Sequence, residues 1–537
     1  MKKLKTLAVL LVLTIFFVVF IGNCDDSDTK TEPKEPPSGS EFSISVTGGT
    51  ANKEKAVFRD VVTLTPGTET GKVFIDWTIN PPTVAMLSGN SFTMPQSNVT
   101  VTANFEDMTV YQQPPRYVTN NFGEDSSKEL LVQWHNDDEV LSQSLRIVRA
   151  ADSFANAQNI TAEYRNFVTS GTIGDYTSRN IFNADAKNLS PNTLYKYRVG
   201  SANTGWSQVF YHQTSRDAPV NFSFTVVADS QDASTDQTHM KVTLRTANEY
   251  DADNRFFLHC GDVVEQIGAD PTQVVSYTNA ANDFNVQRPV ITTQGNHDTY
   301  DRNGGNNYTD RKSEATIFNG FMTFPDNGWE TRGIDKSQSY YFYYNNVLFI
   351  MLNTLIEYDK FETQANWLRD VLEADRAGNK SRYTIVATHK GPFGNHYYED
   401  GDIRMVRRTF GKVFSDYNVD IVFSGHDHTY CRTNPIKITG TTEETAALSA
   451  INFNTTPNGT IYSIPGATGK KLYGELAGVV NPQWDTVYIR RTRTEADVTG
   501  GVFVNIKVTP EKLIVTALRT NGNRDKYLPD EYEVFKK

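Results

Sequence analysis

Residues 383–390 read YTIVATHK, and residues 419–428 read VDIVFSGHDH. Each is a short, nearly continuous apolar run that stops abruptly at polar side chains, as expected of a strand buried on both faces and ending at a rim. Between them, Ile403, Val406, Phe410, Val413, Phe414 and Tyr417 recur at helical spacing in IRMVRRTFGKVFSDYN (403–418), which predicts an amphipathic helix. FSFTVVAD (222–229), RFFLHCGD (255–262) and RPVITTQGN (288–296) repeat the strand pattern upstream, and TQANWLRDVLEADRAGN (363–379) adds a second helix. YYFYYNNVLFIML (340–352) reads as a hairpin turning at Asn345-Asn346, and VFVNIKV-TPEK-LIVTAL (502–518) as another. Strands alternating with helices, plus antiparallel hairpins, predict an α/β domain with mixed β-sheets sandwiched by helices, over residues 218–537.

Five of these strands end in residues that bind metals: Asp229 with Gln231, Asp262, Asn296 with His297, His389, and His426 with His428. Strand tips of an α/β sheet converge on one edge, so positions spread over the domain can share one site. Carboxylate, amide oxygen and imidazole together suit Fe, Mn or Zn. Six or seven such ligands exceed the needs of one tetrahedral ion, and two ions sharing a bridging carboxylate would use them all. His426 and His428 alternate, which puts both rings on one side of an extended chain.

The order D-x-Q, G-D-x-x-E, G-N-H-D, T-H-K, G-H-D-H closely resembles the calcineurin-like metallophosphoesterases, and among them the purple acid phosphatases. QANWLRDVLEADRAGNKSRYTIVATHKGPF (364–393), GHDHTYCR (425–432) and NGTIYSIPGATGKKLYG (458–474) extend the resemblance. It implies a first metal on Asp229, Asp262 and His428, and a second on Asp262, Asn296, His389 and His426, with Asp262 bridging. It also implies that His297 faces the phosphate with Asp298 orienting its ring. The loop HKGPFGNHYYEDG (389–401) would supply His396, with Asn395 in place of a neighbouring His. Two positions depart from the family. Glu265 stands where purple acid phosphatases carry a metal-bound Tyr, and Gln231 where many relatives carry a His. Either could give the first metal an oxygen, Gln231 ranking ahead. The implied activity is hydrolysis of phosphomonoesters, with a metal-bound hydroxide attacking phosphorus and His297 or His396 stabilising oxygens or protonating the leaving group. A phosphodiesterase or nucleotidase on the same scaffold is the nearest alternative. A non-catalytic surface adhesion lipoprotein is a third.

Ahead of this domain the chain changes character. Met1 to Lys5 is basic and Leu7 to Gly22 almost wholly apolar, an export signal over residues 1–23. Cys24 then resembles the lipidated residue of a bacterial lipoprotein, which would place the protein in the cell envelope; an uncleaved anchor is the alternative. Residues 24–41 lack bulky apolar side chains and read as a tether. FSISV, VFRDVVTLT, KVFIDWTI, SFTM and VTVTANF mark a small all-β module over 42–108, similar to internalin-B-type repeats. Residues 109–217 carry ELLVQWHND, QSLRIVRA, TLYKYRVGS and SQVFYHQTS, the spacing of a β-sandwich. PPRYVT (114–119) and the segment 189–215 resemble the fibronectin-III-type domain that precedes the catalytic domain of plant-type purple acid phosphatases. His135, His212 and His259 read as structural, and His239 as a surface or structural residue.

The 537 residues, 38% hydrophobic and 21% charged, exceed one ordinary domain. A net charge of −11 argues against nucleic acid as partner. Three Cys make no disulfide framework, and Cys260 and Cys431 are expected as buried thiols.

Overall fold

The computed structural model describes residues 40–81, 84, 86–87, 90–107, 113–173, 176–232, 237–267, 270, 272–285, 288–299, 317–329, 339–395, 401–438, 448–450, 459–471, 484–488, 501–520 and 527–535. The expected export segment, Cys24 and His396 lie outside them. No helix among the described residues is long and apolar enough to cross a membrane.

In the α/β domain, β1 (Phe222–Val227), β2 (Asn254–His259) and β3 (Val290–Thr292) are parallel neighbours. The other strands are β4 (Tyr340–Tyr344), β5 (Val347–Leu352), β6 (Tyr383–Thr388), β7 (Ile421–Ser424), β8 (Tyr430–Thr433), β9 (Ile461–Pro465) and β10 (Trp484–Tyr488). At the C-terminal end come β11 (Val502–Val508), β12 (Lys512–Arg519) and β13 (Tyr527–Phe535). They form two sheets, of order β3-β2-β1-β11-β12-β13 and β4-β5-β6-β7-β9-β8-β10. Both mix parallel and antiparallel pairs. The hairpin at Asn345-Asn346 is present, with Tyr344 opposite Val347 and Asn345 at a positive φ of 51°.

Alternation along β5 shows how the layers stack. Val347, Phe349 and Met351 point into the core shared with the first sheet, where Phe224, Val226, Phe256 and Val504 also lie. Leu348, Ile350 and Leu352 point the other way, into a core with helices α3 (Phe361–Gly378) and α4 (Gly401–Asp416). Val406, Phe410, Val413 and Phe414 form the α4 face that meets them. Helix α1 (Thr238–Tyr250) packs through Met240, Leu244 and Ala247, and α2 (Thr272–Asn285) through Val274, Tyr277 and Ala281, into the first sheet's core.

The sandwich ahead of this domain has one sheet of Arg116–Phe122, Leu130–Asp137, Glu163–Ile173 and Tyr176–Ala186, against a five-stranded sheet centred on Ser144–Arg149 and Leu194–Ser201. Trp134, Phe182 and Tyr197 fill the space between them. The small module at 41–107 has two four-stranded sheets around Val62, Trp77 and Phe92. There the segment VFRDVVTLT is not one strand. Arg59 at φ 73° breaks it into Lys55–Val57 and Val61–Pro66, which join different sheets.

Candidate active site

The expected ligands come from both sheets rather than from the rim of one. Asp229, Asp262 and Asn296 follow β1, β2 and β3, whereas His389 and the His426–His428 pair follow β6 and β7. Two groups form: Asp262 with His389 and His426, and Asp229 with Asp262 and His428, the ligand atoms of each lying within 4.8 Å of one another. Asp262 belongs to both. Asn296 joins the first group, its Oδ1 2.9 Å from His389 Nε2 and 2.9 Å from His426 Nδ1.

Hydrogen bonds decide which nitrogens carry protons. His389 Nδ1 donates to the Cys260 carbonyl at 2.9 Å and His428 Nδ1 to the Lys471 carbonyl at 2.5 Å, since a carbonyl can only accept. With Nδ1 so engaged in each ring, Nε2 is the nitrogen left to bind a cation. For His389 that nitrogen faces Asp262 Oδ2 at 3.2 Å; for His428 it faces Asp229 Oδ1 at 3.4 Å. Burial pushes His428 down to about 3 and His426 well below the usual imidazole range, so both stay neutral. Burial, then the negative charge of Asp262, raises Asp229 well above the ordinary carboxylate range. Asp229 Oδ2 and Gln231 Oε1 are buried with no hydrogen-bond partner among the described residues. Imidazole nitrogens converging on carboxylate oxygens, with orphaned oxygens beside them, fit cations between these side chains.

The two departures from the family separate here. Gln231 Nε2 donates to Asp262 Oδ2, the carboxylate common to both groups, at 2.6 Å, and its Oε1 stays buried without a hydrogen-bond partner among the described residues. Glu265 is turned away to Lys471, whose Nζ stands 3.0 Å from its Oε1, and it joins neither group. In this structure the Glu265 carboxylate thus has a cation partner outside both groups.

His297 lies at the mouth, its side chain 14% exposed, with Nε2 4.0 Å from Asp262 Oδ2. Its Nδ1 donates to the Glu265 carbonyl. Asp298 makes its hydrogen bonds to main chain. Its carboxylate accepts from the backbone N–H groups of Gly295 at 2.8 Å and Val263 at 3.0 Å. It thus buckles the loop carrying Asp262 to the loop carrying Asn296, while main-chain oxygen orients the His297 ring. Asn395 is present at the rim, its N–H donating to Asp427 Oδ2.

His259 donates or accepts at Ser230 Oγ, 2.9 Å away, and His239 Nδ1 lies 3.4 Å from Asp232 Oδ2. Cys260 and Cys431 are buried free thiols. Sequence reasoning passed over Lys471, which lies 3.5 Å from His297 Nε2. Only its place inside the quoted segment 458–474 hinted at a site role.

Comparison with known proteins agrees with this architecture. Residues 222–430 match the calcineurin-like phosphoesterase family, residues 115–214 the purple acid phosphatase N-terminal domain, and residues 43–109 the divergent InlB B-repeat domain. Purple acid phosphatase 21 of Arabidopsis thaliana is 27% identical over 272 residues, 50% of this chain and 56% of that protein. The chain thus spans about half the length of that relative. A purple acid phosphatase of Glycine max is 22% identical over 70% of this chain and 78% of its own. The structure of purple acid phosphatase PPD1 from yellow lupin (Lupinus luteus) seeds superposes with a TM-score of 0.61 at 15% identity, covering 92% of this chain and 96% of that one.

Proposed function

We propose that the protein is an exported metallophosphatase that hydrolyses phosphomonoesters with two metal ions. The observation that carries this reading is the double group around Asp262, with imidazole nitrogens aimed at carboxylate and amide oxygens. Asp229, Asp262 and His428, with the Gln231 oxygen, would hold one ion; Asp262, Asn296, His389 and His426 would hold the other. When bound, the pair supplies an acidified water and neutralises phosphoryl charge. The chain's own residues do the rest. His297 keeps Nδ1 on the Glu265 carbonyl, so Nε2 is the ring atom left to face a phosphoryl oxygen or the leaving alkoxide. Asn395 and His396 complete the substrate face. The family resemblance supports domain boundaries near residues 108 and 217. The basic-then-apolar start supports export, with lipidation at Cys24 as the anchor.

The test uses the full chain stripped by a chelator and reloaded with Mn, Zn or Fe. Hydrolysis of p-nitrophenyl phosphate should return with two metals per chain and exceed that of bis(p-nitrophenyl) phosphate. Asp262→Ala should lose both metals and the activity. Faster diester hydrolysis would instead favour the phosphodiesterase alternative. Neither metal uptake nor hydrolysis would leave a surface-binding protein.

A further inference from the structure

Lys471 follows a segment, Thr468–Gly469, that runs beside the site. The Thr468 N–H donates to the Ala228 carbonyl at 2.8 Å and the Gly469 N–H to the Asp229 carbonyl at 3.0 Å, so the segment is pinned to the tip of β1. The Lys471 carbonyl receives His428 Nδ1. The side chain therefore starts from a point fixed relative to the ligands, yet it stays one-third exposed and can move. Its Nζ is 3.0 Å from Glu265 Oε1 and 3.5 Å from His297 Nε2. An ammonium has three protons, so among the described residues one remains after these two neighbours. Such a part-exposed ion pair adds little to stability. What distinguishes it is its place, beside the histidine that faces the mouth.

We propose that Lys471 is a phosphate-contacting residue of this site, kept in place by Glu265, and that it favours monoester dianions over diesters. The proposal rests on the phosphatase reading above. A dianion draws the ammonium from Glu265 toward its oxygens, and a diester, with one negative charge, draws it less. Glu265, standing where the resembling family has a metal-bound Tyr, then acts as the partner that keeps this cation in place.

Inorganic phosphate is the probe, titrated calorimetrically into the metal-loaded full chain. Lys471→Ala should weaken phosphate binding by roughly ten-fold, the scale of one charge-assisted hydrogen bond. It should lower kcat/KM for p-nitrophenyl phosphate to a similar extent and change that for the bis ester much less. Lys471→Arg should retain most of both. Glu265→Gln should tighten phosphate binding and leave metal content unchanged. Unaltered phosphate affinity in Lys471→Ala, an unaltered monoester-to-diester ratio, or loss of metal from that variant would each overturn the proposal. If the wild type hydrolyses neither ester, the phosphatase reading fails by itself, and the phosphate titration still decides the role of Lys471.

Discussion

Asp229, Asp262, His426 and His428 hold φ values of +51°, +56°, +75° and +47°, in the left-handed region. Such conformations cost on the order of 1 kcal/mol or more for a residue with a Cβ. Neighbouring contacts impose them. The Asp229 N–H donates to the Gly261 carbonyl at 3.0 Å, the His426 N–H to Asp229 Oδ1 at 2.9 Å, and the His297 N–H to Asp262 Oδ1 at 2.8 Å. Such bends let side chains from successive tips turn toward one point. They also explain Gly425. A Cβ there would stand 2.8 Å from the Cys260 carbonyl oxygen, 3.0 Å from Asp229 Oδ2 and 3.0 Å from His389 Nδ1. Gly425→Ala should therefore weaken metal binding by roughly ten-fold or more, while the chain still folds, because strain of a few kcal/mol falls on the ligands themselves. Metal titration with a parallel melting curve checks this; unchanged metal affinity would refute the packing argument. At this scale the carboxylate, amide and imidazole ligands were legible, because such residues stand out at the end of apolar strands. Lys471 and the true partner of Asp298 were not. A lysine is unremarkable in sequence, its Glu265 partner lies 206 residues away, and Asp298 bonds to main-chain N–H groups, which carry no residue signature.

Secondary elements were legible where a single period ran unbroken. The α4 stripe from Ile403 to Tyr417 and the Asn345-Asn346 hairpin both appear as expected, since local spacing and turn chemistry determine them. Helix α2, rich in Thr, Asn and Ser, shows a weaker pattern and emerges only when packed. The division of the strands between two sheets was not legible, because strands buried on both faces read alike whichever sheet they join. Buried histidines of the sandwich strands carry a further consequence. Burial lowers both His135 and His212 to about 3. The folded state then binds fewer protons than the unfolded chain, whose histidines titrate near 6.5. Stability should be level above about pH 6.5 and fall progressively as pH drops toward 3. His212 Nε2 has no hydrogen-bond partner among the described residues, and the ring packs 5.8 Å from that of Phe122. His212→Leu should therefore flatten the decline. Melting temperatures at pH 8 and pH 5 measure it, and an unchanged difference between them would remove His212 as a source.

Across the whole molecule, the modules share cores rather than hanging as beads. Phe122 of the sandwich packs against Phe256, Phe342 and Tyr344 of the α/β domain, and Gln133 Nε2 donates to the Gly320 carbonyl at 2.7 Å. On the other side, Ala150 and Tyr211 join the core of the first module. Arg198 grips Glu106 through two nitrogens, at 2.6 and 3.1 Å. Lys196 Nζ meets Asp76 Oδ2 at 2.9 Å, with side chains 1% and 4% exposed. The internalin-repeat likeness gave no hint of this, because both ions lie on strands that read as solvent-facing positions until the modules meet. A buried pair is costly to halve and cheap to replace whole. Lys196→Met strands the Asp76 charge and should destabilise the junction by about 3–5 kcal/mol, whereas the double variant Lys196→Met/Asp76→Leu should recover most of that loss. Urea unfolding and limited proteolysis near residues 108–112 read the two cases. If the single and double variants lose equal stability, the stranded charge is not the cause and apolar packing around Trp77 and Tyr211 governs the junction instead.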